Sequence, residues 1–200
     1  MSVKKLISKK ISDERILYSK KNWFQVGVIS EFKKKNDFKT FDIFTEPVIL
    51  FKFKNEIGAF TNICPHRGSR LKTENRGNQV FNCIYHGWAF NAKGNVVGTP
   101  YQKRTFTDKI IKNKCLNKWK LDYCGKLIFI TYNENKISLK KYLGKSFSKL
   151  EKYSQNLDNH IHTSDYVWAC NWKLAIENSI DEYHGPILHK NTFNTTLDLK

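Results

Sequence analysis

Two short cassettes constrain this chain more than any other feature: Cys64-Pro65-His66-Arg67-Gly68 and Cys83-Ile84-Tyr85-His86-Gly87-Trp88. Each offers one thiolate and one imidazole, and sixteen residues separate His66 from Cys83, room for a short β excursion. Two sulfur and two nitrogen donors are the ligand set of a [2Fe–2S] centre in which two His replace two Cys on one iron. Such a centre carries less negative charge than an all-Cys cluster, so its potential rises to a range of roughly −150 to +300 mV. A zinc site of two Cys and two His is the competing assignment, but its common spacing takes two Cys from one knuckle and two His from another. Here each knuckle mixes the two residue types. The fold must therefore bring two loop tips together, and Gly68 and Gly87 sit where the backbone has to turn tightly around the group.

The rest of the chain has to support those tips. At 200 residues it holds one full domain and the beginning of another. No apolar run approaches the ~18 residues of a membrane span, and the basic start, Met1 to Lys10, leads into no apolar stretch of secretory type. Net charge is +17, almost all of it Lys, with Arg only at positions 15, 67, 70, 76 and 104. Arg is favoured for bidentate phosphate recognition, and the Lys residues are scattered rather than striped. The charge reads as a solvated surface, with no nucleic-acid partner; its milder use is to steer an acidic electron-donor protein. Five cysteines, an odd count with two in metal-type spacing, indicate reduced thiols and a cytoplasmic protein. Cys115, Cys124 and Cys170 read as small apolar residues.

Along the chain, Ser12 is a candidate N-cap for a short helix in the basic lead-in. From Trp23 the pattern turns to period two. Strands are expected over Trp23 to Val28, Phe38 to Phe44, Val48 to Phe53 and Ala59 to Ile63, with breaks at Glu46-Pro47 and Asn55 to Gly58. Arg76-Gly77-Asn78 reads as a turn, Asn91 to Gly94 as a hairpin returning through Val96 and Val97, and Leu127 to Tyr132 as a closing strand. Short strands at this spacing suggest a small antiparallel sandwich. After Tyr132, Ser138 to Leu143 and Ser148 to Tyr153 look helical, Val167 to Ala169 looks strand-like, and Asn171-Trp172 opens a helix running toward His184.

That last helix carries a second constellation. Asp181 and His184 are spaced i, i+3 and so share a helical face. His189 lies five residues beyond His184, about 140° away around a straight helix, and Gly185-Pro186 breaks the helix so that it can swing back. Two convergent His are two-thirds of a 2-His-1-carboxylate facial triad, the site of non-haem Fe(II) oxygenases. Taken alone, two unrelated surface His on a helix is the plainer reading.

The strings GAFTNICPHRGSRL, CIYHGW and GNVVGTP resemble the Rieske domain of ring-hydroxylating oxygenase α (large) subunits. NWKLAIENSIDEYHGPILH resembles the iron-binding segment of the same family's catalytic domain. Rieske proteins of respiratory cytochrome complexes form another branch, with a disulfide beside the cluster and a Ser after the second His-Gly. Ser69, Tyr85 and Trp88 stand at those positions here, which favours the oxygenase-like branch. Arg67 resembles a supporting residue near the cluster.

The resemblance implies a mainly β Rieske domain, a small antiparallel sandwich with two cluster-binding hairpin loops, over residues 23–134. A basic lead-in with a helix precedes it at 1–22, and the truncated start of an α+β catalytic domain follows at 135–200. It implies a [2Fe–2S] cluster on Cys64, His66, Cys83 and His86 and a mononuclear Fe(II) on His184 and His189. Asp181 is the expected catalytic bridging carboxylate, bonded to His184 of its own subunit and to a cluster His of a neighbour. Glu177 and Asn178 match the string without a ligand role, and His160 and His162 match no motif. The implied function is electron acceptance from a ferredoxin or flavin reductase and O₂-dependent hydroxylation of a small organic substrate, in a homotrimer. In the family the third iron ligand and the substrate pocket come from far downstream in the catalytic domain, and Asp198, the only Asp or Glu beyond His189, does not match the ligand position. The chain is therefore read as a fragmentary α subunit, or one encoded in parts, and as inactive alone. The alternative is an electron-transfer-only, Rieske ferredoxin-like protein.

Overall fold

The computed structural model describes residues 22–100, 111, 113–132, 134–157, 166–181 and 183–191. Residues 22–157 belong to one compact unit and 166–191 to another. Among the described residues of the first unit are nine strands: β1 (Phe24–Val28), β2 (Asp37–Ile43), β3 (Glu46–Lys52), β4 (Ile57–Thr61), β5 (Arg76–Asn78), β6 (Ala89–Phe90), β7 (Val96–Gly98), β8 (Lys120–Cys124) and β9 (Leu127–Thr131). They form a four-stranded sheet in the order β4-β3-β2-β5, a three-stranded sheet β1-β9-β8, and the hairpin β6-β7. Every pairing is antiparallel. Helices α1 (Leu139–Leu143) and α2 (Ser146–Gln155) follow the last strand.

Alternation along β3 explains the layering. Val48 and Leu50 point to one face and Ile49 and Phe51 to the other, and all four are buried. The first face packs with Ile57, Ala59, Trp119, Ile128 and Ile130, which joins the two larger sheets. The second packs with Phe60, Leu71, Phe81, Trp88 and Phe90 and with the two cassette cysteines. β9 repeats the pattern one layer out, with Phe129 turned away from Ile128 and Ile130 toward Trp23, Cys124 and Leu139 of α1. The order is thus cassette loops, four-stranded sheet, three-stranded sheet, helices. At about 1.5–3 kcal/mol per large apolar side chain buried, these continuous cores hold the loops from behind. The outer edge of β4 is covered by the 117–119 segment, through Thr61 N–H to Asn117 O and Trp119 N–H to Ala59 O, each 2.9 Å.

The expected sandwich is present, with several local corrections. The turn after β2 is Phe44-Thr45, not Glu46-Pro47. Phe44 takes φ +56°, and its ring meets Phe24 edge-on at 6.0 Å. Pro47 lies inside β3 opposite Asp42, near the strand start where a missing N–H is tolerated. Gly58 belongs to β4, which starts at Ile57. Arg76-Gly77-Asn78 is the edge strand β5 rather than a turn. Gly77 is required there by the Phe38 ring, which would lie 2.8 Å from a Cβ. β8 was not anticipated. Cys124 is buried, whereas Cys115 and Cys170 are exposed thiols and not packed apolar residues. The Ser12 helix, His160 and His162 lie outside the described residues.

In the second unit, α3 (Trp172–Ile180) is capped by Asn171, whose Oδ1 accepts the Lys173 N–H at 3.1 Å. Tyr166 to Cys170 form no strand, contrary to expectation. The helix also stops short of His184. Asp181 is its C-cap in extended conformation, and a separate one-turn helix, α4 (Gly185–Leu188), begins with Pro186 in its first turn. Pro186 therefore starts a helix instead of interrupting one. None of the described residues of this unit is buried. Among the described residues no helix is long and apolar enough to cross a membrane.

Candidate iron–sulfur centre and candidate iron-binding segment

The two cassettes fold into loops with one hydrogen-bond plan. In the first, Cys64 N–H donates to Ser69 O at 2.7 Å and Cys64 O accepts Gly68 N–H at 2.9 Å. In the second, Cys83 N–H donates to Trp88 O at 2.8 Å and Cys83 O accepts Gly87 N–H at 3.0 Å. Each loop closes five residues after its Cys, with a glycine at φ +75° or +69° one residue earlier. The positive φ is why those glycines are there. The plan tolerates His at the second loop position in one cassette and at the third in the other.

The closed loops bring all four predicted donors together in two pairs. Cys64 and Cys83 are buried, and their sulfurs are hydrogen-bonded to each other. His66 and His86 are half-buried, with ring centroids 4.7 Å apart. Burial pushes the Cys64 thiol up to about 11, against the pull of the His66 and Arg67 amides, which are directed at its sulfur. Burial likewise lowers the His66 pKa, helped by the nearby His86, Arg67 and Lys114 charges. Two buried sulfurs, one of them receiving amide hydrogen bonds, beside two adjacent imidazoles suit metal-bound thiolates and nitrogen donors. Among the described residues, no group of three or more His, Cys, Asp and Glu side chains surrounds a single ion position. The donors are instead a sulfur pair and an imidazole pair, the division a two-iron cluster takes.

Three supporting residues had no motif to announce them. Trp88 is buried and its indole is stacked on His66, centroids 4.6 Å apart and 4° from parallel. Asn62, fully buried, accepts the Leu71 and Lys72 N–H groups on Oδ1 at 3.0 and 3.1 Å and donates to Lys72 O at 2.8 Å. That single side chain fixes the return of the first loop. Lys72 is the third: its side chain is buried and its Nζ donates to Asn82 Oδ1, next to Cys83, at 3.1 Å. Asn62 and Lys72 look like surface residues in a sequence, and only their depth reveals a role. Tyr85 lies over His86 at 4.0 Å between centroids, and Arg67 is exposed.

In the second unit the helix break lets His189 approach His184, which a continuous helix would not, and Asp181 bonds to His184 across it. Asp181 Oδ2 accepts from His184 Nδ1 at 3.1 Å, and Oδ1 accepts the Tyr183 N–H at 2.9 Å. These two bonds, the Tyr183 amide first, hold the Asp181 carboxyl below its ordinary value. An ionised carboxylate only accepts, so Nδ1 of His184 is the donor in this bond, and Nε2 is the ring nitrogen that Asp181 does not engage. The His189 ring lies 5.5 Å from that of His184, inclined at 69°. Two imidazoles and an orienting carboxylate are gathered here; no third ligand joins them among the described residues.

Residues 22–120 match the Rieske [2Fe-2S] domain family, and residues 154–198 match the catalytic domain of ring hydroxylating alpha subunits. Benzene 1,2-dioxygenase subunit alpha of Pseudomonas putida is 32% identical over 179 residues, covering 82% of this chain and 38% of the relative. The anthranilate 1,2-dioxygenase large subunit of Burkholderia cepacia is 28% identical over 186 residues, covering 88% and 44%. Among solved structures, naphthalene 1,2-dioxygenase from Rhodococcus sp. superposes with a TM-score of 0.82 at 26% identity, over 94% of this chain and 45% of the other. The chain thus spans under half the length of these relatives. With both domain types matched in the order its cassettes and its Asp-His-His segment require, the chain belongs to the family of Rieske ring-hydroxylating oxygenase α subunits.

Proposed function

We propose that the chain serves, as part of an α subunit, in O₂-dependent hydroxylation of a small organic substrate, with a ferredoxin or flavin reductase as electron donor and a homotrimeric assembly. The observation that carries this reading is the Asp181–His184 hydrogen bond with His189 beside it, on the same chain as the paired cassettes. A cluster alone would support an electron carrier; the second constellation gives the electron a use. When bound, a [2Fe–2S] cluster supplies one-electron storage and a mononuclear iron supplies O₂ activation.

The chain's own residues have distinct tasks. Cys64 and Cys83 supply thiolates from a water-poor core, and the His66 and Arg67 amides offset part of the charge on Cys64. His66 and His86 offer nitrogen donors at the half-exposed rim. Asp181 holds the proton of His184 on Nδ1, which directs Nε2 toward a metal. His189 offers the second imidazole.

Iron and acid-labile sulfide analysis with EPR of the reduced chain tests the reading. A [2Fe–2S] signal lost in Cys83→Ser, together with Fe(II) binding lost in the His184→Ala and His189→Ala pair, is expected. Bound zinc without iron or sulfide overturns the cluster assignment. A cluster with no Fe(II) bound at His184 and His189 leaves only the electron carrier.

A further inference from the structure

Lys72 is the one buried cation among the described residues of the four-stranded sheet's cassette side, and the hydroxylation reading gives it no task. Asn62 pins its backbone on both sides, so the side chain has a single course inward. Its Nζ ends 3.1 Å from Oδ1 of Asn82, the residue just before Cys83 in the chain, and 6.0 Å from the centroid of the Phe38 ring. Glu74 is a charged group that faces it. An ammonium in that position is out of water, where its field is weakly screened. A Lys side chain placed there for packing alone would be better replaced by an apolar one, since burying a charge is costly unless something opposes it.

We infer that Lys72 is a positioning residue for charge, a fixed buried cation that raises the reduction potential of the cluster held by Cys64, His66, Cys83 and His86. The inference rests on Cys83 being a cluster ligand. Reduction adds one electron and therefore one negative charge to the cluster, and a cation behind Cys83 stabilises the reduced form more than the oxidised one. Asn82, which precedes Cys83 in the chain, and the Phe38 ring hold the ammonium in place.

An EPR-monitored titration with dithionite as the one-electron reductant measures the midpoint potential in the whole chain and in Lys72→Met, Lys72→Gln and Lys72→Arg. Both neutral variants should shift the reduction equilibrium about tenfold toward the oxidised form, about 59 mV lower for a one-electron couple, with Lys72→Arg near the parent. Unchanged potentials in cluster-loaded Lys72→Met and Lys72→Gln overturn the inference. So does failure of both neutral variants to hold iron and sulfide while Lys72→Arg holds them, because Lys72 is then needed for cluster retention. A parent chain without iron and sulfide instead removes the cluster reading itself.

Discussion

The indole of Trp88 lies flat on the imidazole of His66, 4.6 Å away and 4° from parallel, and so sets the plane in which that ring presents its nitrogens. Trp88 is buried, with Phe81, Phe90 and Leu116 in the same core, so the stacking face cannot drift. Trp88→Ala should cost about 4 kcal/mol, as large aromatic truncations in cores do. Trp88→Phe keeps a face for the ring and should cost about 1.5 kcal/mol. Urea unfolding separates the two. If His66 binds the cluster, Trp88→Ala should also lower the retained iron and sulfide more than Trp88→Phe does.

Gly68 and Gly87 occupy equivalent places in the two loops, but their surroundings differ. A Cβ on Gly68 meets nothing within 4 Å, so Gly68→Ala is opposed only by φ +75° and should cost about 1–2 kcal/mol. A Cβ on Gly87 also lands 2.9 Å from Pro100 Cγ. Gly87→Ala should therefore exceed Gly68→Ala by about 1 kcal/mol. Equal losses for the two in chemical denaturation would show that the Pro100 contact is relieved without cost.

What was legible beforehand follows from how each feature writes itself into sequence. The paired cassettes, the Asn91 to Gly94 hairpin and the alternating strands were readable because fixed spacing and period are local properties. The Phe44-Thr45 turn was hidden because Phe44 takes a left-handed φ while its ring packs on Phe24, and Phe is not a turn residue. Gly77 looked like a turn for the opposite reason: its missing side chain serves the Phe38 ring across the sheet, a contact between residues far apart in sequence. In the second unit, spacing alone joined Asp181 and His184 on one helical face. The chain achieves the contact by ending the helix at Asp181. Asn62 and Lys72 carry no pattern, since burial of a polar residue depends on the whole fold.

Glu31 ties three elements together. Its Oε1 meets Lys39 Nζ at 3.0 Å and Arg76 Nη2 at 2.8 Å, and Oε2 accepts the Val28 N–H at 2.8 Å. The carboxylate is almost fully buried while Arg76 is half-exposed. Removing it leaves the Lys39 ammonium, held also by Val26 O at 2.9 Å, beside an emptied site. Glu31→Ala should cost about 3 kcal/mol, the scale of breaking a buried pair from one side. Arg76→Ala, which removes only the exposed partner, should cost about 1 kcal/mol or less. Thermal or urea unfolding of the two variants checks the order.

Asp37 gives the unit a defined acid limit. Burial pulls its carboxyl upward, but hydrogen bonds from Asn78 and from the Lys34 and Lys33 amides, with the Lys34 charge, hold it below the ordinary value of 3.8. Asn78 Nδ2 and Lys34 N–H each lie 2.7 Å from a carboxylate oxygen. Because the folded-state pKa is depressed, the unfolded chain binds the proton first as pH falls. The contribution is then complete above about pH 5, declines as pH drops through 3.8, and is gone below the folded-state pKa. Asp37→Asn keeps the shape, loses the charge and cannot titrate. The parent should exceed it by about 1 kcal/mol near pH 6, and the difference should shrink as pH falls below 3.8. A difference that persists undiminished at pH 2.5 would assign Asp37's contribution to packing instead of to its ionised hydrogen bonds.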